Sequence, residues 1–311
     1  MTVILTSDPL GWSVDGPTAV AIGVFDGVHL GHRAVLTRLV ERARASGLVA
    51  VALTFDPHPL EFLAPDRAPD VLTTVGDRAE LMGECGIEVV GVLPFLQIRD
   101  LAPVTFAVEV LANRLRAAVV AVGEDFRFGR GRVGDVDLLR RLGRERGFEV
   151  EGVDLIGEWE GRKVSSSLVR QLVTAGDVET AAELLGRHHG LVGTVIHGDA
   201  RGRLIGFPTA NIHIPERMAV PGNGVYAGRA EVDGSTWEAV INVGVRPTFA
   251  GADRTVEAHL LDFDRELYGR QLRVSFVTKL RDEQRFESVD ALVAQIGRDV
   301  EAGRRRLAQE P

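Results

Sequence analysis

Three short runs in this sequence hold residues of the types, and at the spacings, that handle phosphate. The first is Gly23-Val-Phe25-Asp26-Gly27-Val-His29-Leu-Gly31-His32, which leaves an apolar run and opens a helical pattern. Its glycines let the backbone approach a ligand closely. The helix that follows presents free N–H groups and a positive dipole end to an anion. His29 and His32 can donate hydrogen bonds there as negative charge builds on phosphate oxygens in a transition state. Two surface histidines beside a turn, or a metal site with His at i and i+3, are the other readings. A metal needs further ligands, and no other His or Cys lies nearby in sequence. The second run, Ser165-Ser166-Ser167-Leu-Val-Arg170, places hydroxyls and a guanidinium at a helix start, either a phosphate clamp or an ordinary serine cap with a solvated arginine. The third, Gly206-Phe207-Pro208-Thr209-Ala210-Asn211, opens a strand pattern, and Thr209 and Asn211, two apart, face the same way. Each offers an oxygen of the kind Mg2+ takes, leaving room for phosphate and water; a turn with satisfied local hydrogen bonds is the alternative. Further on, strand alternation puts Glu257 and His259 on one face. A carboxylate in that position can accept a proton from an attacking hydroxyl, or simply face solvent.

The elements that must position these groups fall into two textures. Apolar runs at 18–23, 48–54, 87–93, 117–122 and 148–153 alternate with helical patterns, the first at Val35, Leu36, Leu39, Val40 and Ala43 with Gly47 as a stop, the others around 77–84, 104–116 and 135–146. Such alternation predicts a buried parallel sheet covered on both faces, with ligands beyond the carboxyl ends of its strands. Two short helices, broken at Gly176 with Asp177 as N-cap, fill 166–186. From His189 onward, short strands at 190–197, 209–214, 224–232, 236–243, 256–263 and 272–280 predict a small closed barrel, and Asp233-Gly234 marks a hairpin. A last helix starts near Ser288, with Val289, Leu292, Val293, Ile296 and Val300 on one stripe. The expected domains are therefore 1–186 and 187–311. The first eleven and last six residues carry no usable signal. The fold class is α/β plus all-β.

Composition narrows the function. The chain has 311 residues, 45% hydrophobic and 26% charged, with net charge −8, which argues against a nucleic-acid partner. Lys163 and Lys279 are the two lysines and neither follows a glycine, so ATP would be handled without a Walker A loop. Cys85 stands alone, excluding an intramolecular disulfide and a thiolate metal cluster. With no secretory pattern at the N-terminus and no run approaching about 20 apolar residues, a cytoplasmic protein without a membrane partner is expected. Gly129-Arg-Gly131-Arg-Val-Gly134 imitates a dinucleotide fingerprint, but Gly123–Phe128 separates the preceding strand from its first glycine, so the tight strand-to-helix turn is missing.

The first run resembles the His-x-Gly-His signature of the nucleotidylyltransferases and, in its fuller form, the adenylyltransferase module of bacterial bifunctional FAD synthetases. Ser165–Arg170 resembles that family's Ser-Ser-Thr-x-x-Arg motif, with Ser167 in place of threonine. Thr54-Phe55-Asp56-Pro57-His58-Pro59 and Gly123-Glu124-Asp125-Phe126-Arg127-Phe128-Gly129 match it too. The phenylalanines of the second segment could stack on a flat isoalloxazine ring or simply anchor the loop. Pro208-Thr209-Ala210-Asn211 resembles the hallmark of riboflavin kinases. It is followed in order by Gly224-Val-Tyr226, Asn242-Val-Gly244-Val-Arg246-Pro247-Thr248-Phe249, Val256-Glu257-Ala-His259, Leu267-Tyr268-Gly269 and Leu280-Arg281-Asp-Glu-Gln-Arg-Phe286.

The resemblance covers roughly residues 15–305 and implies an enzyme that phosphorylates riboflavin to FMN and adenylylates FMN to FAD, using ATP with Mg2+. Flavin is its substrate and product. The implied catalytic residues are His29, His32 and Glu257, the last as base. ATP and phosphate binding falls to Gly23, Phe25, Asp26, Gly27, Gly31, Ser166, Ser167, Arg170, Gly206, Pro208, Thr209 and Asn211, with Thr209 and Asn211 also as metal ligands. Flavin binding falls to Phe55, Asp56, Pro57, Asp125, Phe126, Phe128 and Arg281. Arg246, Arg281 and Arg285 are candidates for phosphate contact, with surface salt bridges the alternative and the favoured reading for Arg285, and Gly198–Gly206 resembles a flap. A different nucleotidylyltransferase, a flavin carrier without catalysis, and an enzyme with one silent half are the competing readings.

Overall fold

The apolar runs of the N-terminal half form a six-stranded sheet in the computed structural model, which describes residues 2–153, 158–159, 161–198, 202, 205–248 and 251–310. Contacts divide the chain into two units, Met1–Ser166 and Ser167–Pro311. The first runs β1 (Val3–Leu5), β2 (Thr18–Ile22), α1 (Leu30–Ser46), β3 (Val49–Asp56), α2 (Leu60–Leu63), α3 (Val75–Glu84), β4 (Val89–Pro94), α4 (Phe95–Ile98), α5 (Pro103–Thr105), a wide-turned π-helix (Phe106–Arg114), β5 (Ala117–Gly123), α6 (Val136–Arg146), β6 (Glu149–Val153), β7 (Glu158–Trp159) and β8 (Arg162–Lys163). The sheet order is β1-β4-β3-β2-β5-β6, parallel throughout.

Strand alternation gives the sheet two unlike faces. Ala19, Ala21, Ala50, Ala52 and Ala121 share a core with Leu36, Leu39 and Val40 of α1 and Met82 of α3. Small side chains there let the two helices lie close to the sheet. Val20, Ile22, Val51, Leu53, Val120 and Val122 point the other way, into a core with Phe106 and Leu111 of the π-helix and Leu139 of α6. Helix ends follow their sequence signals: Asp135 accepts from the Leu138 N–H at 2.8 Å to start α6, and Gly47 and Gly147 end α1 and α6 at φ 65° and 85°. β1 was not expected. It joins the sheet edge through backbone pairing with β4, which asks for no side-chain pattern. The helix expected over 104–116 is π-type for most of its length, closed by Leu115 N–H on the Val110 carbonyl at 2.9 Å.

The second unit holds α7 (Ser166–Ala175, its first residue in unit one), α8 (Val178–Leu185), β9 (His189–Ile196), β10 (Ala210–His213), β11 (Gly224–Val232), β12 (Ser235–Thr248), β13 (Gly251–Leu260), β14 (Gln271–Arg281) and α9 (Val289–Leu307). Six strands close an antiparallel barrel in the order β10-β13-β12-β11-β14-β9. Asp233 and Gly234, at φ 52° and 73°, make the tight β11–β12 turn that their types announce. The β12–β13 ladder is longer than expected, reaching Thr248↔Gly251, and β13 stops at Leu260 instead of running to 263. Pairing extends the one end, and the positive φ of Asp262, 57°, turns the chain at the other. α8 lies on β14 and β9, and Glu179 hydrogen-bonds Thr278. α8 therefore packs on the barrel, and the functional boundary expected at 186 falls on its C-cap glycine.

Candidate active sites

In the N-terminal unit the sheet order reverses at β2: the chain goes on to β3 and β4 on one side, and β5 and β6 lie on the other. Ligands of parallel sheets bind beyond the carboxyl ends of the strands at such a switch point. The run from Gly23 to His29 leaves β2 there, with Phe25, Gly27 and Val28 at φ 52°, 80° and 39°. Left-handed backbone at Phe25 and Val28 costs on the order of 1–2 kcal/mol each and must be held. The buried Asp26 carboxylate supplies the hold, accepting from the N–H groups of Leu72 (2.9 Å) and Thr73 (3.1 Å) and from the Thr73 hydroxyl (3.2 Å). Thr73 Oγ1 in turn accepts from the Gly27 N–H at 3.0 Å, and Ser166 donates to the Asp26 carbonyl at 2.8 Å.

His29 caps α1, its Nδ1 accepting the His32 N–H at 3.4 Å, and the two imidazoles stack with centroids 3.7 Å apart. Phe25 stands edge-on to His32 at 5.3 Å. Both histidines are buried, and His32 Nδ1 has no protein partner. Burial, then His29, then Arg78 hold His32 well below the ordinary imidazole pKa, so its ring is neutral at pH 7. Arg78 on α3 is itself buried against this loop, with its guanidinium 3.8 Å from Asp26.

Two cavities open at the carboxyl ends of β2 and β5. One, of about 460 Å3, is lined by Gly23, Phe25, His32, Gly123, Asp125 and Lys163 among others. The other, of about 690 Å3, is apolar and aromatic, with Phe55, Phe95, Phe106, Phe126 and Phe128 in its wall. Gly23, Val24, Asp125 and Phe126 line both, so the two cavities adjoin. Phe126 and Phe128 stack at 5.5 Å; Phe128 is buried as wall and Phe126 is open to the space. Asp56 and Pro57, joined by a cis peptide, end β3 outside the lining residues described for this cavity. The structure thus brings Gly23, Phe25, His32, Phe55, Asp125, Phe126 and Phe128 to the two cavities, with His29 stacked on His32 behind them. Asp26 and Ser166 brace the loop. Gly27 and Gly31 are part of the loop and of α1. Ser167 lies in the first turn of α7 and Arg170 at the start of the second, both in the second unit.

In the barrel, Asn211, Glu257 and Asn242 are direct neighbours across β10, β13 and β12. They share the outer face, since Ala210, Ala258 and Ile241 beside them are buried. An added Cβ at Gly198 would lie 2.3 Å from Asn211 Nδ2, so the backbone there rests on the Asn211 amide. Thr209 lines a cavity of about 150 Å3 with Pro208 and the segment from Phe263 to Tyr268. Gly206 takes φ 87°, and His259 Nδ1 hydrogen-bonds the Pro208 carbonyl at 2.7 Å, which sets the turn before Thr209. Arg281 donates to both carboxylate oxygens of the buried Asp299 at 2.8–3.0 Å, tying the end of β14 to α9, with its guanidinium 5.8 Å from the Phe286 ring. Arg285 is exposed. The Arg246 side chain, Phe249 and most of 199–204 lie outside the described residues.

Arg78, Thr73 and Lys163 were missed as parts of the N-terminal site. Thr73 and Arg78 are remote in sequence from the histidines and look like ordinary helix-start residues. Lys163 had served only to exclude a Walker loop.

An α/β unit with two adjoining cavities at its switch point, one bearing His32, Asp125 and Lys163 and the other aromatic, joined in one chain to a barrel carrying Thr209, Asn211 and Glu257, defines a two-domain, nucleotide-handling transferase. The FAD synthetase family matches residues 13–168, and the riboflavin kinase family matches residues 185–307. Bifunctional riboflavin kinase/FMN adenylyltransferases from Pseudomonas fluorescens and Escherichia coli strain K12 are 44% and 43% identical to this chain, covering 91% and 90% of it and the same shares of their own lengths. A crystal structure described as a macrolide-efflux protein from Streptococcus pneumoniae superposes with TM-score 0.87 at 30% identity, over 97% of this chain and 99% of that one. No helix among the described residues of this chain is long and apolar enough to cross a membrane. The chain belongs to the bifunctional riboflavin kinase/FMN adenylyltransferase family, with the FAD synthetase region first and the kinase region second.

Proposed function

We propose that the two cavities of the N-terminal unit hold the two substrates of adenylyl transfer, ATP in the smaller one, beside His32 and Lys163, and the isoalloxazine of FMN in the aromatic one. The observation that carries this reading is their meeting at Gly23, Val24, Asp125 and Phe126. An FMN phosphate oxygen attacks the α-phosphorus of ATP, the bond to the β-phosphate oxygen breaks, and pyrophosphate leaves. No covalent intermediate on the protein is needed. Catalysis is then positioning plus donation of hydrogen bonds from His29 and His32 as charge develops. Lys163 offers a cation in the nucleotide cavity, and Arg99, Arg127 and Arg132 offer cations around the aromatic one. Ser166, Ser167 and Arg170 are assigned to phosphate binding on the family's Ser-Ser-Thr-x-x-Arg motif.

In the barrel, Glu257 takes the proton of the ribityl 5′-hydroxyl as that oxygen attacks the γ-phosphorus and ADP leaves. Among the described residues no group of three or more His, Cys, Asp or Glu side chains could hold a metal ion. The Thr209 hydroxyl and the Asn211 amide oxygen supply neutral hard donors, with the Glu257 carboxylate one strand away, a set that suits Mg2+ when phosphate and water fill the remaining positions. When bound, Mg2+ would neutralise charge on the transferring phosphate. Residues 1–186 and 187–311 are taken as the two functional domains. We place the enzyme in the cytoplasm, where ATP is supplied.

Separating riboflavin, FMN and FAD over time, from riboflavin and from supplied FMN, tests these roles. His32→Ala should lose roughly 100–1000-fold in FAD formation while still making FMN. Glu257→Gln should do the reverse, losing FMN formation while converting supplied FMN to FAD. If each variant loses both activities equally while remaining folded, the assignment of one site to each half is wrong.

A further inference from the structure

Arg78 lies outside the reactive run, yet its hydrogen bonds reach every segment that shapes it. From α3, Nη1 donates to the Thr54 hydroxyl at 2.9 Å and to the Phe55 carbonyl at 3.3 Å, both at the carboxyl end of β3. Nη2 donates to the Thr73 carbonyl at 3.3 Å and stands 3.8 Å from Asp26. The Thr54 hydroxyl passes the connection on, donating to the Val24 carbonyl at 2.8 Å as the chain leaves β2. Thr73 passes it on to Gly27 through its own hydroxyl. The Arg78 side chain is 3% exposed. Placing a guanidinium there incurs a desolvation cost that an apolar residue would avoid, so hydrophobic packing alone does not account for it.

We propose that Arg78 is the positioning residue of the adenylyl-transfer site, fixing through Thr54, Thr73 and Asp26 the loop from Gly23 to His29, which ends in one histidine and leads into the first turn of α1 that carries the other. A planar fork with five donors suits this task, since it serves several carbonyl, hydroxyl and carboxylate acceptors at once and does not give up its proton. Burial pulls the guanidinium pKa down, and the carboxylates of Asp26 and Asp56 oppose that. The same cation faces His32 and, together with burial and His29, disfavours its protonation. The other groups around His32 are the Phe25 ring on the preceding loop, and Glu124 and Asp125 after β5 and Lys163 of β8, which line the same cavity. Arg78 therefore braces the run that leads into His32 and adds, after burial and His29, to what keeps its ring neutral.

The inference rests on the role given to His32 above, and the test separates the two. FAD formation from FMN and FMN formation from riboflavin are measured across pH in the full-length wild type and in Arg78→Gln, Arg78→Lys and Thr54→Val. Arg78→Gln should lose tenfold or more in adenylyl transfer with riboflavin phosphorylation unchanged. The acid limb of its kcat/KM profile, which reports the free enzyme, should move to higher pH, because a charge opposing His32 protonation is gone. Arg78→Lys keeps that charge and should hold the acid limb in place while recovering most of the rate. Thr54→Val, close in shape, removes both the Arg78 Nη1 acceptor and the donor to Val24 while leaving the guanidinium in place, and should lose severalfold. Wild-type adenylylation with an unmoved limb in Arg78→Gln overturns the proposal. If that variant fails to fold, unchanged adenylylation in Thr54→Val overturns it instead. His32→Ala that still makes FAD would remove the histidine from the reading; an inactive His32→Ala beside a fully active Arg78→Gln would remove this inference alone.

Discussion

Replacing Asp299 with Ala tests whether the terminal helix is part of the kinase or an appendage to it. Asp299, 5% exposed, accepts three hydrogen bonds from Arg281 and a fourth from the Gln295 side chain at 2.7 Å. Removing one partner of a buried pair costs about 3–5 kcal/mol, because the other charge is left buried. Arg281 keeps 20% of its side chain in water and a bond to the Asp282 carbonyl, so the lower end, about 3 kcal/mol, applies. At about 2–4 °C per kcal/mol for a unit of this size, the barrel transition should fall by roughly 6–12 °C. Differential scanning calorimetry with FMN formation as the functional readout would follow it. If Arg281 also meets the flavin, the KM for riboflavin rises while adenylylation of supplied FMN is unchanged. A barrel transition within about 1 °C of wild type would refute the argument, since no relaxation of α9 short of replacing the lost partner relieves an unpaired guanidinium at that depth.

Other outcomes follow from the same geometry. Gly198→Ala puts a Cβ 2.3 Å from the Asn211 amide, and should lower riboflavin phosphorylation by tenfold or more while sparing FAD formation from FMN; equal rates would mean the segment moves aside at no cost. The N-terminal unit should lose stability as pH falls below about 6.5, because the unfolded chain protonates its histidine there while folded His32 resists until well below that value. One proton contributes a slope of about 1.4 kcal/mol per pH unit across that window. His32→Gln should flatten the dependence, measured by thermal unfolding at a series of pH values.

Much of this molecule was legible in order of sequence. Apolar runs broken by glycine and capped helices announced β2 to β6, α1, α3, the helix before β5 and α6, because burial on both faces leaves a continuous apolar signature; the short α2, α4 and α5 went unannounced. The Asp233-Gly234 turn and the alternating strands around it announced the barrel. The residues proposed to touch phosphate sit in short runs, and a run survives being read alone. The three-residue β1 did not announce itself, since it is held by backbone pairing with β4. Neither did the ends of the β12–β13 ladder, which are set by the partner strand.

What the sequence by itself determined was therefore the set of local elements, the order of the two halves and the chemistry within each short run. Tertiary structure alone decided the assembly of the sites. It placed Asp26 inward to brace a loop rather than outward to a ligand, and it set Arg78 under that loop from forty-six residues beyond His32. It paired Arg281 with Asp299 across β14 and α9, and it joined Asn211, Glu257 and Asn242 across three strands. The physical reason is common to these cases. Propensity and periodicity act between near neighbours in the chain, whereas a buried charge or a cross-strand row is satisfied by whichever partner the fold brings within reach.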